Sequence, residues 1–329
     1  MVFNLTYDDD VTIPQINEDN NNVYIGLSYI ILSCSFMFLQ TMTFVAFYRN
    51  REILMKNMPY KIMLQLGIAD LIQQLCHCIS GFYAVFYFFP SDVLSYAVGS
   101  LLQCAYMTSA SFILLLSLNR FDVFYNISII PTFDKKRAFV IGIIICYIWG
   151  ISLFIFYLFP SNRLEFSSIN YGWNYTGNKT LGYQIENKSV IAMLIISFIC
   201  YLFILGKIMY MRGLSSSGII ITLSDMKLLV QAIINFITIT LLEICWYQFS
   251  GIITDAELNL LAINYLFIFV SGANTLLNFC FLKEVRKEVK TFLICYTNRK
   301  QKITRTVVRR IAFGDRDKNL STKTKILTE

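Results

Sequence analysis

Long apolar runs broken by short polar segments set the pattern of this chain. Seven runs reach membrane-crossing length, at residues 23–48, 62–89, 93–118, 138–159, 189–210, 228–253 and 258–282. About 20 apolar residues in a helix span the hydrocarbon layer of a bilayer, and each run meets or exceeds that. The 27 residues between Asp92 and Arg120 carry no formal charge at all. The predicted fold is an all-α membrane protein, a seven-transmembrane helix bundle. After the last run comes KEVRKEVKTFLIC, where Val285, Val289, Phe292 and Leu293 recur at helical spacing and Lys283, Arg286, Lys287 and Lys290 take other faces. That amphipathic pattern predicts a short helix on the membrane surface. The chain divides into an N-terminal segment (1–22), the bundle (23–282), the juxtamembrane helix (283–295) and a basic tail (296–329) predicted to be disordered.

Composition agrees. Hydrophobic residues make up 56% of the 329 and charged residues 15%, with mean hydropathy +0.56, outside a soluble protein's balance. The net charge of +7 belongs to the tail, because from Lys283 onward there are 14 Lys/Arg against 5 Asp/Glu. A basic tail beside a membrane calls for no nucleic-acid partner. Taking the N-terminus as outside puts 25 Lys/Arg on the inner side and 3 on the outer, a strong positive-inside bias. The glycosylation sequons at Asn4, Asn174, Asn178 and Asn187 then fall outside, while those at Asn126 and Asn319 fall inside and should be unused. The acidic N-terminus does not read as a signal peptide. None of the nine cysteines lies in a predicted outside segment, so no disulfide framework is visible, and Cys295 is a candidate palmitoylation site.

The polar residues inside the runs are the candidate chemistry. Asp70 sits eight residues into its run, too deep for a solvated charge, and an acid there faces the bundle interior. Ser109 precedes Arg120 by three helical turns, so the two share a face and Arg120 is expected to point inward. The alternative is that Arg120 snorkels to the inner interface. His77 lies on the face of Asp70, but Cys76 and Cys78 diverge from it and no second histidine exists, so a zinc site is not expected. Glu243 lies one turn before Trp246. No phosphate-binding glycine loop, serine elbow or paired carboxylates at a plausible site is visible, and no enzymatic activity is expected.

Several stretches resemble rhodopsin-like G-protein-coupled receptors. These are Leu66-Gly67-Ile68-Ala69-Asp70-Leu71, Leu118-Asn119-Arg120-Phe121, Trp149 followed by Pro160, Cys245-Trp246-Tyr247, and Asn274-Thr275-Leu276-Leu277-Asn278. The run Tyr60–Asp70, with His77 and Gly81 after it, resembles nematode serpentine chemoreceptors of class T, over roughly residues 23–295. The resemblance implies a chemosensory receptor in the plasma membrane, or in a sensory cilium, that binds an extracellular small molecule and activates a heterotrimeric G protein. It implies ligand-binding residues Leu102, Gln103, Tyr106, Phe249 and Asn264. It implies switch and coupling residues Asn119, Arg120, Trp246, Asn274 and Asn278, and an interior cluster of Asp70, Ser109, Ser271 and Asn274 around a sodium ion. No charged group lies among the five ligand positions, so a weakly polar or volatile ligand is expected.

The chain also departs from that pattern. Asn119 stands where an acid is usual, Thr275 and Asn278 replace a proline and a tyrosine, and the disulfide that usually pins the second outer loop is missing. A seven-helix transporter, an ion-channel chemoreceptor, or a receptor-like protein that no longer signals are the alternative readings. Glycosylation mapping separates the first two from a receptor: Asn4 and the Asn174–Asn187 segment should be modified in cells, and an unmodified cytosolic N-terminus would reverse the orientation.

Overall fold

The computed structural model describes residues 21–86, 92–125, 135–167, 170–175, 180–213, 223–252, 256–292 and 294. In chain order the helices are α1 (Asn21–Arg49), the single turn α2 (Arg51–Leu54), α3 (Met58–Phe86), α4 (Asp92–Tyr125), α5 (Lys135–Leu158), α6 (Thr180–Gly213), α7 (Leu223–Ile252) and α8 (Ala256–Phe281). Residues 283–292 form a further helix, α9. Among the described residues seven helices are long and apolar enough to cross a membrane. α4 is the central column, with 78% of its apolar window buried, while α5 at 17% turns most of its surface outward. Exposed residues such as Ile144, Ile148, Ile151 and Ile155 on α5 suit contact with lipid rather than water.

Lipid tails are as apolar as leucine, so helices in a bilayer must associate by close packing and hydrogen bonds. Glycines supply the close packing. A Cβ built on Gly26 of α1 would lie 2.6 Å from the Gly81 carbonyl oxygen of α3, and one on Gly81 would lie 2.8 Å from the Gly26 carbonyl oxygen. Gly272 of α8 lets the Phe36 ring of α1 lie against its backbone, and Gly150 of α5 does the same for Thr108 of α4. α9 folds back along α1, with an Arg49–Glu288 ion pair at 2.5 Å and a Phe38–Phe292 edge-to-face contact. Val285 is fully buried, in keeping with the amphipathic spacing.

Three features go beyond the sequence expectation. α4 continues past residue 118 to Tyr125, where Asp122 pairs with Lys135 of α5 at 3.0 Å and the Tyr125 hydroxyl donates to the Phe203 carbonyl of α6 at 2.8 Å. α6 begins at Thr180 rather than 189. The polar stretch before it contains a 3₁₀ turn (Pro160–Asn162) and an antiparallel hairpin of β1 (Leu164–Ser167) and β2 (Gly172–Tyr175), with Leu164 opposite Tyr175. The turn carries Tyr171 at φ 52°, and its carbonyl accepts a hydrogen bond from the Tyr29 hydroxyl at 2.9 Å.

The hairpin closes one end of the bundle by packing, the Tyr29 hydrogen bond and a cation–π contact. Leu164 and Trp173 are buried, and Arg163 stacks over the Tyr96 ring of α4 at 3.5 Å from its centroid. Gly99 of α4 meets the Leu164 carbonyl oxygen so closely that no side chain fits between them. The described cysteines are all free. These contacts anchor the loop to α4 where a disulfide is usual.

Gly81→Val should therefore destabilise the chain by about 1–3 kcal/mol, the ordinary cost of overpacking. Gly206→Ala, which meets nothing within 4 Å, should be neutral or stabilising by up to about 1 kcal/mol. Thermal unfolding of the two purified variants in detergent checks the contrast.

Candidate functional site

Asp70 of α3 is buried at the bundle centre. Its Oδ1 accepts a hydrogen bond from the Ser109 hydroxyl of α4 at 3.1 Å, and its Oδ2 accepts one from the Asn274 amide of α8 at 3.1 Å. Gln73 donates to Ser109 at 2.9 Å, and Asn235 of α7 donates to the Asn274 carbonyl oxygen at 3.3 Å. Ser271 does not reach the acid; it accepts from Gln74, which also donates to the Ile268 carbonyl. One turn along, Gln231 of α7 donates to Asn278 at 2.8 Å, and Thr275 bonds to Gln40 of α1. Asp70 thus joins α3, α4, α7 and α8 in one hydrogen-bonded set, and separate pairs tie α3, α7 and α1 to α8. α8 can supply these bonds because Ser271, Asn274, Thr275 and Asn278 recur at helical spacing.

A cavity of about 10 Å³ lies among Asp70, Gln73, Tyr106, Ser109, Asn235, Ser271 and Asn274. That is room for roughly one water or one small cation. The oxygens of Asp70, Ser109 and Ser271 are the right chemistry for sodium, although both carboxyl oxygens of Asp70 already accept protein hydrogen bonds. His77, fully buried, packs edge-to-face on Phe267 at 4.9 Å.

The ligand-binding candidates sit nearer the hairpin. Leu102, Gln103, Tyr106 and Asn264 are all buried, and Phe249 lies in α7 with its side chain outside the described residues. They do not all converge. Asn264 stands beside Tyr29 of α1, whereas Gln103 stands near Tyr157 and Glu186 on the opposite side of α4. Tyr106 links the two regions, packing on Phe267 and donating its hydroxyl to the Glu243 carboxyl of α7.

Sequence reasoning missed Glu186, because α6 was expected to begin after it. Glu186 is buried, accepts a hydrogen bond from the Tyr175 hydroxyl of β2, and lies in electrostatic range of Glu243. Burial, then the neighbouring Glu186, hold the Tyr175 phenol well above the ordinary tyrosine range, so it remains a donor at physiological pH. The two carboxyls add charge chemistry to a region expected to be weakly polar.

At the other end of α4, Arg120 is 1% exposed and Asn119 is 3% exposed, so the arginine points into the bundle rather than snorkelling. It lies in electrostatic range of the buried Tyr201 of α6. Asp122 pairs with Lys135 at 3.0 Å. Trp246 is half-buried near the hairpin end of α7. Asn174 is exposed on β2, whereas Asn187 is half-buried within α6. Asn4, Asn178 and Cys295 lie outside the described residues.

Two comparisons bear on this arrangement. A sequence profile described as the serpentine type 7TM GPCR chemoreceptor Srt matches residues 3–302. The crystal structure of squid rhodopsin superposes with a TM-score of 0.67, covering 84% of this chain and 87% of that one at 11% identity, a likeness of fold. No curated protein sequence matches.

Asp70→Ala should leave the Ser109 hydroxyl and Asn274 amide without their acceptor, costing about 1–3 kcal/mol. Asp70→Asn, which keeps one acceptor oxygen, should cost less. The order of the two unfolding midpoints tests whether the network satisfies this acid.

Proposed function

Because the chain belongs to the serpentine seven-transmembrane chemoreceptor family Srt, we propose that it is a chemosensory receptor that binds an extracellular small molecule and activates a heterotrimeric G protein. The observation that carries this reading is the set of buried polar bonds among α3, α4, α7 and α8, which lies between the region below the hairpin and the half of the bundle that holds Arg120. A ligand near Tyr106 and Glu243 would touch α4 and α7 at one end. Asn235–Asn274 and Gln231–Asn278 tie α7 to α8 toward the other. Networks of this kind have discrete arrangements, and a ligand that prefers one shifts the population toward it.

In this reading the hairpin end is extracellular, in line with the positive-inside bias, and glycans attach at Asn4, Asn174 and Asn178, whereas the half-buried, helical Asn187 is a poor acceptor. The basic loops, Cys295 and the tail face the cytoplasm. Movement of α7, with Trp246 as lever, opens a cleft beside Arg120. Asn119 leaves Arg120 without an adjacent acid, so its resting partners come from elsewhere, Tyr201 among the candidates. A sodium ion bound in the central cavity would be held by Asp70, Ser109 and Ser271, and would supply positive charge to balance the carboxylate. The family match weighs against the transporter and channel readings.

Arg120→Ala should abolish G-protein activation in a heterologous cell while surface expression stays at the wild-type level. Unchanged signalling from that variant would remove Arg120 from the mechanism. A wild-type chain that reaches the surface and answers no ligand in a broad screen would instead favour a receptor that no longer signals.

A further inference from the structure

α6 and α7 touch sparingly on their outer side, leaving a groove of about 530 Å³. Its walls are Ile191, Leu194, Ile195 and Phe198 from α6, and Phe236 and Thr240 from α7. One ionisable residue, Glu243, lines it. Ile195 and Phe198 are about half exposed, at 54% and 49%, so the groove opens sideways, toward lipid in a membrane. Such a volume falls within the range of about 300–1,000 Å³ typical of small-molecule pockets.

The second carboxyl is what narrows the chemistry. Glu186 stands in electrostatic range of Glu243, and among the described residues no Lys or Arg pairs with either. Two acids at membrane depth without a cation are costly, and the tyrosine hydroxyls of Tyr106 and Tyr175 supply hydrogen bonds but no charge. The buried Gln103 side chain lies within hydrogen-bonding reach of Glu186 and Tyr157.

We propose that this groove admits a small lipophilic amine from the bilayer and holds its ammonium group at Glu243, the one ionisable residue in its walls, with the charge of nearby Glu186 adding to the attraction. The hydrocarbon body lies against Ile195, Phe198 and Phe236. The proposal rests on the receptor reading and names the ligand class for it. It replaces the weakly polar ligand expected from the five sequence-picked positions, since the charge comes from two residues outside that set.

The test uses the full-length chain in phosphatidylcholine nanodiscs, with thermal unfolding measured against rising n-octylamine, 1-octanol or octanoic acid. A ligand bound by the folded state alone raises the midpoint in a saturable way. Octylamine should bind at least tenfold more tightly than octanol, and octanoic acid should not bind. Glu243→Gln should erase at least tenfold of that preference. Ile195→Trp, a lipid-side change at the groove that leaves both acids in place, should weaken octylamine binding by a similar factor. Equal binding of amine and alcohol, or an amine preference that survives Glu243→Gln, would overturn the proposal. Amine binding without G-protein activation would leave this site standing and sink the receptor reading. Activation by neutral compounds alone would do the reverse.

Discussion

An acid in the middle of a bilayer-spanning bundle must find its hydrogen bonds inside the protein, and Asp70 imposes that condition here. Hydrocarbon offers no partner, and an unsatisfied carboxyl at that depth costs at least a few kcal/mol. Ser109 and Asn274 meet the demand directly, Asn235 and Gln73 orient them, and Gln74 and Ser271 add a parallel link. Apolar side chains alone would let these helices slide or rotate at small cost, since lipid is an equally good neighbour. The network, with glycine contacts such as Gly26–Gly81, fixes both rotation and depth. It also makes the interior responsive, because a set of amides and hydroxyls can exchange partners without emptying the core.

The two ends of the bundle are built differently. At one end the β1–β2 hairpin is pressed onto α4 and tied to α1 through Tyr29, so the top is closed by packing and a cation–π contact. At the other, α4 outlasts its apolar run, Asp122 is paired with Lys135, and Arg120 stays buried near Tyr201. Between them the loose side of the molecule is the α6–α7 seam, where Glu243 meets the groove. A seam open to lipid suits the membrane-partitioning amine proposed for it. The proposed movement of α7 runs along the side where it is least held.

Much of the fold was legible because the bilayer imposes a length rule. The seven runs read from hydropathy alone match the seven spanning helices, and the valine spacing after Lys283 marked α9 correctly. The inward direction of Arg120 followed from its three-turn offset from Ser109, since that relation is local to one helix. Contacts between helices were not legible in the same way. Tyr106 and Glu243 are 137 positions apart, and Asp70 and Asn274 are 204 apart; only the resemblance to rhodopsin-like receptors suggested the second pair. Glu186 was hidden because hydropathy placed the start of the fifth span after it, whereas α6 begins at Thr180 in polar sequence. Ser271 bonds to Gln74, a residue that no motif singled out, rather than to Asp70.

The central claim is that the polar network couples the ligand end of the bundle to the Arg120 end. The most direct measurement is the affinity of the purified chain in nanodiscs for nucleotide-free heterotrimeric G proteins, across a panel of Gα subtypes. The account predicts that at least one subtype binds the wild type, and that Asn235→Ala with Asn274→Ala weakens that binding at least tenfold while the chain remains folded. Undiminished binding by the doubly substituted chain, or no binding to any subtype by the wild type, would contradict it.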